Sequence, residues 1–343
     1  MILTQSLASL SLAVCLGGNN GQASKPEQIQ KIIGPMAQFE RLTSGEWRMK
    51  SVGGSQFFET WRYGPGSHSV RKFTHGVNLH DNNRPWREVE VFFWNPIEKK
   101  VNLIGFSPFM SGVSRGSIDL KPGRFESRFE LNQGGDIRKL GHEIAFQGKD
   151  KFQETLYESV NGQAYVVGNQ WNHVWSKTVT PVPVLNSPET PKPTGAQTIL
   201  AAFAGKAWQG TSPVKGVGTY RTDFEWIPYA NVMNIRSTFK PVNAGRMSRY
   251  DLYLYQIPSA VGVQAFALFN DGSHGVGSAI AKGAGKIEVR LRMSSSDNAD
   301  RSISYSINPN GSLVEDAWKI RKGGKVQTWK RTLAQIKSSS RSW

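Results

Sequence analysis

The chain has 343 residues, which is enough for two or three domains that each bury a core without disulfides or metals. A composition of 38% hydrophobic, 11% aromatic and 20% charged residues excludes a largely disordered protein. The formal net charge of +16 comes from Lys and Arg residues scattered through both halves. A nucleic-acid-binding protein concentrates such charge in a stripe or a known motif. We therefore expect no nucleic-acid partner, while attraction to an anionic component of the cell envelope stays open.

Residues 1–23 have the features of an export signal. Residues 7–16 form an apolar run of secretory length that is too short to span a bilayer. Gly21 and Ala23 are small residues at the two positions that a signal peptidase reads. The single cysteine, Cys15, lies in this segment; cleavage after Ala23 would leave a chain without disulfides, and lipid modification of Cys15 is the alternative. No later apolar run approaches ~20 residues, so we predict a secreted or periplasmic protein without a membrane span.

After one short amphipathic helix before residue 40, the sequence consists of short alternating runs separated by glycine and proline. About nine candidate strands lie between residues 57 and 177, and about nine more lie between 218 and 333. Alternation of period two at this spacing is typical of an antiparallel sandwich or barrel. Eight or more meandering strands in one domain pair their edges most simply by closing into a barrel.

The two halves of the chain are related in sequence. Residues 87–96 align with 249–258, residues 101–104 align with 263–266, and Trp47 aligns with Trp208. At the other end, residues 175–178 align with 329–332. A period of half the chain is too long for a solenoid unit and has the length of a domain. We therefore predict two related domains in tandem.

A proline-rich segment at 179–196 separates the two halves and is expected to form a semi-rigid spacer. These patterns predict an all-β chain with two tandem antiparallel barrels. The predicted parts are a signal peptide at 1–23, a first barrel at 24–178, the linker at 179–196, a second barrel at 197–336 and a tail at 337–343.

Each half opens near a tryptophan and closes with a basic residue. Gly45, Glu46 and Trp47 form a Gly-x-Trp element that we pair with Lys177, and Trp208 is paired with Arg331. A cation–π contact in each pair would close one end of a barrel. In these elements both halves resemble the calycin superfamily of lipocalin-like barrels, particularly its bacterial secreted members of uncharacterised function. The resemblance implies an interior that binds small apolar molecules, and it also admits enzymes.

Three residues near the end of the first half are the candidate ligand-binding site. Trp171, His173 and Trp175 share one face of the last strand, and two tryptophans are rarely left facing water. The aligned positions of the second half contain Gln327 and Trp329 and are poorer in aromatic residues. We therefore predict that the first barrel binds a small hydrophobic or aromatic ligand at Trp171, His173 and Trp175.

The sequence identifies no catalytic residue, cofactor or metal site. It contains no Gly-x-Ser-x-Gly elbow, His-Glu-x-x-His pair, Walker loop or dinucleotide fingerprint. The strand carboxylates Glu88, Glu90 and Glu143 have basic neighbours and are expected to form ion pairs at the barrel rim. Two alternatives stay open. One is an isomerase, cyclase or hydratase of a lipid-like substrate that uses His173 with a strand carboxylate. The other is a structural or interaction module of the envelope with filled barrels.

Overall fold

The computed structural model describes residues 34–50, 56–78, 84–107, 112–132, 136–160, 164–166, 172–178, 193–212, 218–227, 231–242, 247–257, 261–294 and 299–337. Over these residues the protein is all-β, with two closed antiparallel barrels of ten strands each in tandem. The predicted fold class is therefore confirmed.

The first barrel is a ring of ten strands with one additional short strand. Its elements are β1 (Glu46–Lys50), β2 (Gln56–Tyr63), β3 (Ser69–Asn78), β4 (Arg84–Asn95), β5 (Lys100–Ser107), β6 (Gly112–Lys121), β7 (Arg124–Asn132), β8 (Ile137–Phe146), β9 (Lys151–Val160), β10 (Ala164–Val166) and β11 (Asn172–Thr178). Strands β1 to β9 pair in chain order, and β11 pairs with both β9 and β1 to close the ring. Strand β10 pairs with β9 beyond the end of β11.

The second barrel is a ring of ten strands that pair in chain order. They are β12 (Lys206–Thr211), β13 (Thr219–Ile227), β14 (Val232–Lys240), β15 (Met247–Tyr255), β16 (Val263–Phe269), β17 (His274–Gly283), β18 (Lys286–Ser294), β19 (Asp300–Ile307), β20 (Leu313–Arg321) and β21 (Gly324–Ile336). Pairing of β12 with β21 closes the ring.

Alternation along the strands builds the interior of each barrel. In β7, Phe125, Ser127, Phe129 and Leu131 are buried on one face, while Glu126, Arg128 and Glu130 between them are more exposed. A short helical segment closes one end of the first barrel: a 3-10 turn at Gly34–Phe39 continues into an α-helix at Glu40–Thr43, and its apolar side chains pack in the same core. The second barrel has a comparable 3-10 turn at Gly195–Leu200.

The two residues of the first predicted closing pair are neighbours across the closing strands, and the cation–π contact between them stays a prediction. Strand register places Lys177 directly opposite Trp47, whose indole is fully buried. The indole Nε1 donates a hydrogen bond to the carbonyl oxygen of Leu42 at 2.9 Å, which ties the helical segment to β1. The Lys177 ammonium group donates to Ser44 Oγ at 3.2 Å at this end of the barrel.

The second predicted pair is wrong. Gln335 lies opposite Trp208 in the closing register, and Arg331 lies four residues earlier on β21. The Arg331 guanidinium is buried and donates to Glu315 Oε1 at 2.7 Å. The error arises because the sequence alignment matched Trp329 to Trp175 and therefore Arg331 to Lys177. The strand pairing instead makes Gln335, four residues later, the counterpart of Lys177.

The two barrels pack against each other through the outward faces of β3–β6 and β14–β16, which form one apolar cluster. The rings of Phe106 and Tyr255 lie 5.0 Å apart across this interface. Arg115 Nη2 donates to the Tyr255 hydroxyl at 2.6 Å, and Arg71 Nη1 donates to Asn234 Oδ1 at 3.2 Å. Apolar packing and buried hydrogen bonds therefore hold the barrels together.

Residues 1–33 and 179–192 lie outside the described residues, and with them the predicted signal at 1–23 and most of the predicted linker at 179–196. The predicted domain boundaries stay predictions, although the described strands of the two barrels stop at Thr178 and restart at Lys206. Within the described ranges, no helix combines the length and the apolar character needed to cross a membrane.

We expect Trp47→Ala to lower the free energy of unfolding by about 3–5 kcal/mol, because it leaves a cavity and removes a large buried ring. The indole packs edge-on against Phe152 at 4.8 Å between ring centroids. Urea unfolding followed by circular dichroism would measure the change. Ile97→Ala is the matched control, since Ile97 is 66% exposed and its truncation should change stability by less than about 0.5 kcal/mol. A cost for Trp47→Ala as small as that of the control would contradict the prediction.

Candidate functional site

The first barrel contains a cavity of about 290 Å³, close to the lower end of the range for small-molecule sites. Its apolar wall consists of Met49, Phe57, Phe129, Leu156 and Trp175. Its polar wall consists of Glu59, Lys72, Thr74, Glu88, Glu90, Arg138, His142, Glu154 and His173. The cavity therefore has an apolar region and a polar region in contact with the same space.

The polar region arises from charged residues at inward positions of otherwise apolar strand faces. On β2, Glu59 lies between Phe57 and Trp61 on the inward face, since side chains two apart point the same way. On β9, Glu154 lies in the same way between Phe152 and Leu156. The barrel thus encloses carboxylates that its strand alternation directs away from water.

Lys72 on β3 is the centre of the polar region. Its ammonium Nζ lies 2.9 Å from Glu59 Oε1, 3.1 Å from Glu90 Oε2 and 2.7 Å from Glu154 Oε1. Its side chain is only 6% exposed, and Nζ lies 5.6 Å from the centroid of the Trp61 ring. The contact with Glu154 is a hydrogen bond, and Glu59 and Glu90 are ion-pair partners of the same ammonium group.

The carboxylates are also held by other polar side chains. Glu154 Oε1 is 2.7 Å from His142 Nε2, and Glu154 Oε2 accepts a hydrogen bond from Trp175 Nε1 at 2.6 Å. Glu59 accepts from Trp61 Nε1 at 3.1 Å and from the Thr74 hydroxyl at 3.2 Å. Buried charge that is paired and hydrogen-bonded in this way keeps a fixed geometry.

Burial and mutual charge separate the pKa values of two of these carboxyl groups. Burial raises the pKa of Glu59 to about 8 against the opposing attraction of Lys72, and the charges of Glu154 and Glu90 act in the same direction as burial. Burial also acts to raise the pKa of Glu154, but Lys72 and His142 lower it below its usual value. The surroundings thus favour the protonated form of Glu59 and the ionised form of Glu154.

Burial lowers the pKa of Lys72, but the attraction of Glu154, Glu59 and Glu90 outweighs burial and raises its pKa well above the usual value. Lys72 is consequently an ammonium ion at all physiological pH values. The polar region thus contains a permanent buried cation.

The structure brings together two of the three predicted ligand-binding residues. His173 and Trp175 both line the cavity, and strand register places His173 opposite Glu154. Burial lowers the pKa of His173, while Glu154 acts in the opposite direction. Trp171 lies outside the described residues. Ligand binding by these residues stays a prediction.

Sequence reasoning missed the centre of the site. It did not single out Glu59, Lys72 or Glu154, and it expected Glu90 at the barrel rim. The structure shows that Glu90 is buried against Lys72 inside the barrel, so this expectation was wrong. A charged residue at an inward position between aromatic residues was the signal that could have revealed Glu59.

The second barrel provides an internal comparison, because strand pairing relates its positions to those of the first. Glu59 lies opposite Trp47 across β1 and β2, and Thr222 lies opposite Trp208 across β12 and β13. The same pairing matches the remaining site positions as follows: Lys72 with Ile235, Glu90 with Leu252, Glu154 with Glu315, and His173 with Arg331. His173 therefore corresponds to Arg331 and not to Gln327.

Glu315, the counterpart of Glu154 in the second barrel, forms an ion pair with one cation, Arg331. Glu315 accepts from Arg331 at 2.7 Å, from the Tyr250 hydroxyl at 2.6 Å and from Trp329 Nε1 at 3.0 Å. Ile235 and Leu252 pack in the apolar core at the places of Lys72 and Glu90. The accumulation of buried charge around a single ammonium group is therefore specific to the first barrel.

Among the described residues, no three or more His, Cys, Asp or Glu side chains are arranged to hold a metal ion. The chain matches no protein-family model and no curated protein sequence. The case for a function consequently depends on the geometry of the cavity.

The raised pKa of Glu59 predicts a pH-dependent loss of stability. A group whose pKa is higher in the folded state stabilises the fold fully below its unfolded pKa, near 4.5, and this stabilisation is lost as pH rises through about 8. We therefore expect the stability of the wild-type protein to fall relative to that of Glu59→Gln across this range. Urea unfolding at intervals between about pH 5 and pH 9 would measure the difference.

Glu126→Gln is the control for this measurement. A hydrogen bond from Lys121 lowers the pKa of Glu126, so its stabilisation is lost only in acid. The stability profile of Glu126→Gln should run parallel to that of the wild type over the same interval. If the Glu59→Gln profile were also parallel to the wild type, the assignment of a protonated Glu59 would be wrong.

Proposed function

We propose that the chain is a tandem-barrel protein that binds a small, mainly hydrophobic or aromatic ligand inside its first barrel. The observation that carries this proposal is the cavity of about 290 Å³, in which an apolar wall faces a cluster of polar groups. Ligand sites have this composition: apolar side chains supply most of the contact area, and a few placed polar groups fix orientation.

The energetic cost of the polar cluster supports a functional role over a purely structural one. Each ion moved from water into a protein interior costs several kcal/mol, and its pairing often only balances that cost. A barrel that served only as a filled module would be as stable or more stable with apolar residues at these places. The second barrel has such residues, Ile235 and Leu252, at the places of Lys72 and Glu90. A filled envelope module is therefore the weaker proposal for the first barrel.

The finer assignments belong to the same proposal. The closed rings of antiparallel strands support a calycin-type, lipocalin-like barrel. The apolar run within residues 1–23 supports a secreted or periplasmic location, where an anionic envelope component is a proposed partner. The scattered positive charge argues against a nucleic-acid partner.

We expect the neutral fluorescent probe N-phenyl-1-naphthylamine to bind saturably at one site per chain. Leu156→Phe should weaken this binding roughly tenfold or more, because the larger ring occupies part of the cavity that Leu156 lines. Fluorescence titration, with isothermal titration calorimetry as a second readout, would measure the affinity.

Val174→Phe is the matched control for Leu156→Phe. Val174 lies on β11 between His173 and Trp175, faces outward and is 48% exposed. The substitution Val174→Phe adds the same aromatic ring outside the cavity, so probe affinity should equal that of the wild type. Absence of saturable binding, or equal effects of the two substitutions, would reject the proposed site and favour a filled module.

A second candidate function is acid–base chemistry on a lipid-like substrate, as in an isomerase, cyclase or hydratase. The observation that favours it is the pair of cavity carboxyls with separated pKa values, Glu59 protonated near neutral pH and Glu154 ionised. Environments that push two carboxyl pKa values apart are how enzymes assign a proton donor and a proton acceptor. In this candidate function, Glu59 and Glu154 are the acid–base pair, in place of the pair of His173 with a strand carboxylate that the sequence suggested.

A β,γ-unsaturated ketone would test this candidate, because its isomerisation requires removal of a proton at the α-carbon and addition of a proton at the γ-carbon. The conjugated product absorbs in the ultraviolet, so its formation can be followed directly. We expect Glu59→Gln and Glu154→Gln each to reduce the rate roughly a hundredfold or more, and Glu126→Gln to leave it unchanged. A wild-type rate equal to that of buffer would exclude this reaction class.

A further inference from the structure

We infer that the polar end of the first-barrel cavity selects a ligand with a positive charge, an amphipathic amine or ammonium compound, over a carboxylate such as a fatty acid. This inference rests on the proposed binding function and specifies the chemical class of the ligand. It follows from how the charges around the cavity are already paired.

Three carboxyl groups already surround the buried cation of the cavity. The Lys72 Nζ lies 2.9, 3.1 and 2.7 Å from carboxyl oxygens of Glu59, Glu90 and Glu154. A ligand carboxylate would have to displace one of these three, and the displaced side chain would then be a buried charge without its partner.

Two further basic groups of the cavity wall, Arg138 and His142, also contact carboxylates of the protein. Arg138 donates from Nε to Glu158 Oε1 at 2.8 Å, and its Nη2 lies 2.6 Å from the same oxygen at a solvent-exposed position. His142 directs Nε2 at Glu154 Oε1 at 2.7 Å, so a proton on that nitrogen points at the carboxylate and not into the cavity. Both groups therefore direct donors at carboxylates of the protein.

Negative charge exceeds positive charge on the cavity wall. Four carboxyl side chains line it against the two cations Lys72 and Arg138; they are Glu59, Glu88, Glu90 and Glu154. A buried carboxylate is stabilised by any cation that approaches it closely, so this wall attracts a ligand ammonium group.

Glu90 is the acceptor best placed for such a group. Its Oε2 lies 3.1 Å from Lys72 Nζ, whereas its Oε1 accepts no hydrogen bond from any residue in the described ranges. Glu90 lines the cavity and its side chain is 10% exposed, so the second oxygen belongs to the cavity environment. An ammonium or amine N–H donor would complete its hydrogen bonding.

The remaining walls suit the rest of an amphipathic amine. Phe57 and Trp175 are aromatic residues at the cavity surface, and aromatic faces attract ammonium groups. Met49, Phe129 and Leu156 supply apolar area for a hydrocarbon body. The second barrel, where Arg331 neutralises Glu315 one to one, lacks the carboxylate excess that this ligand class requires.

Three ligands of equal chain length, decylammonium, decanoate and decanol, would test the inference by isothermal titration calorimetry at neutral pH and low salt. We expect decylammonium to bind roughly tenfold or more tightly than decanoate, because a charge beside a partly buried carboxylate is weakly screened. Decanol, which has the same chain and no charge, should fall between the two.

A charge-neutralising substitution then localises the effect. Glu90→Gln preserves volume and removes one carboxylate from the cavity, so decylammonium affinity should fall roughly tenfold more than decanol affinity. Glu126→Gln removes the same charge from the outer surface, where Glu126 pairs with Lys121 and Arg124, and should leave both affinities unchanged. If Glu90→Gln fails to fold, the three-ligand comparison on the wild-type protein still decides.

The outcomes separate the two proposals. Decanoate binding equal to or tighter than decylammonium binding, with decanol also bound, would overturn the charge preference and leave ligand binding intact. Binding of none of the three ligands would overturn both, since a cavity that accepts no amphipathic chain has neither function. A decylammonium preference that Glu90→Gln reduces and Glu126→Gln does not would establish the inference.

Discussion

The contact on which the first barrel depends is the buried ammonium group of Lys72. It joins carboxylates from β2, β4 and β9, and β9 lies far from β3 in the ring order, so the interaction spans the barrel interior. Removal of one partner of a buried ion pair typically costs 3–5 kcal/mol, because an uncompensated charge is left behind. The residues of this network also line the cavity. The cavity and the network are therefore two aspects of one arrangement.

A comparison of the two barrels distinguishes features of the barrel architecture from features of the proposed site. Both barrels keep a buried tryptophan on the first strand and a carboxylate at the place shared by Glu154 and Glu315. In the second barrel a single guanidinium, two tyrosines and surrounding apolar residues neutralise and enclose that carboxylate. In the first barrel it becomes one member of a larger set of charges. The common carboxylate thus belongs to the barrel architecture, and the additional charges belong to the proposed site.

The sequence was sufficient for the fold because alternation and turn residues are local patterns. The paired strands β6 and β7, with their turn at 121–124, are visible in the sequence without reference to any distant residue. Alternation along a single strand also placed His173 and Trp175 together. The centre of the site was not predictable in this way, since Lys72 and Glu154 are 82 positions apart and meet only when the ring closes. The partner of Arg331 was not predictable either. The alignment of aromatic residues did not reveal that the last strand of the second barrel is displaced by four residues relative to that alignment.

The interface between the barrels has the character of a two-fold contact contained in one polypeptide. Arg71 and Asn234, which bond to each other, precede the equivalent residues Lys72 and Ile235 and hold matching places in the two barrels. Contact between equivalent positions is the property of an isologous dimer. A dimer of identical subunits must place every substitution in both copies, so a costly charged interior would be doubled. Fusion into one chain removes that requirement: one copy can hold the expensive interior while the other is free to become a stable support.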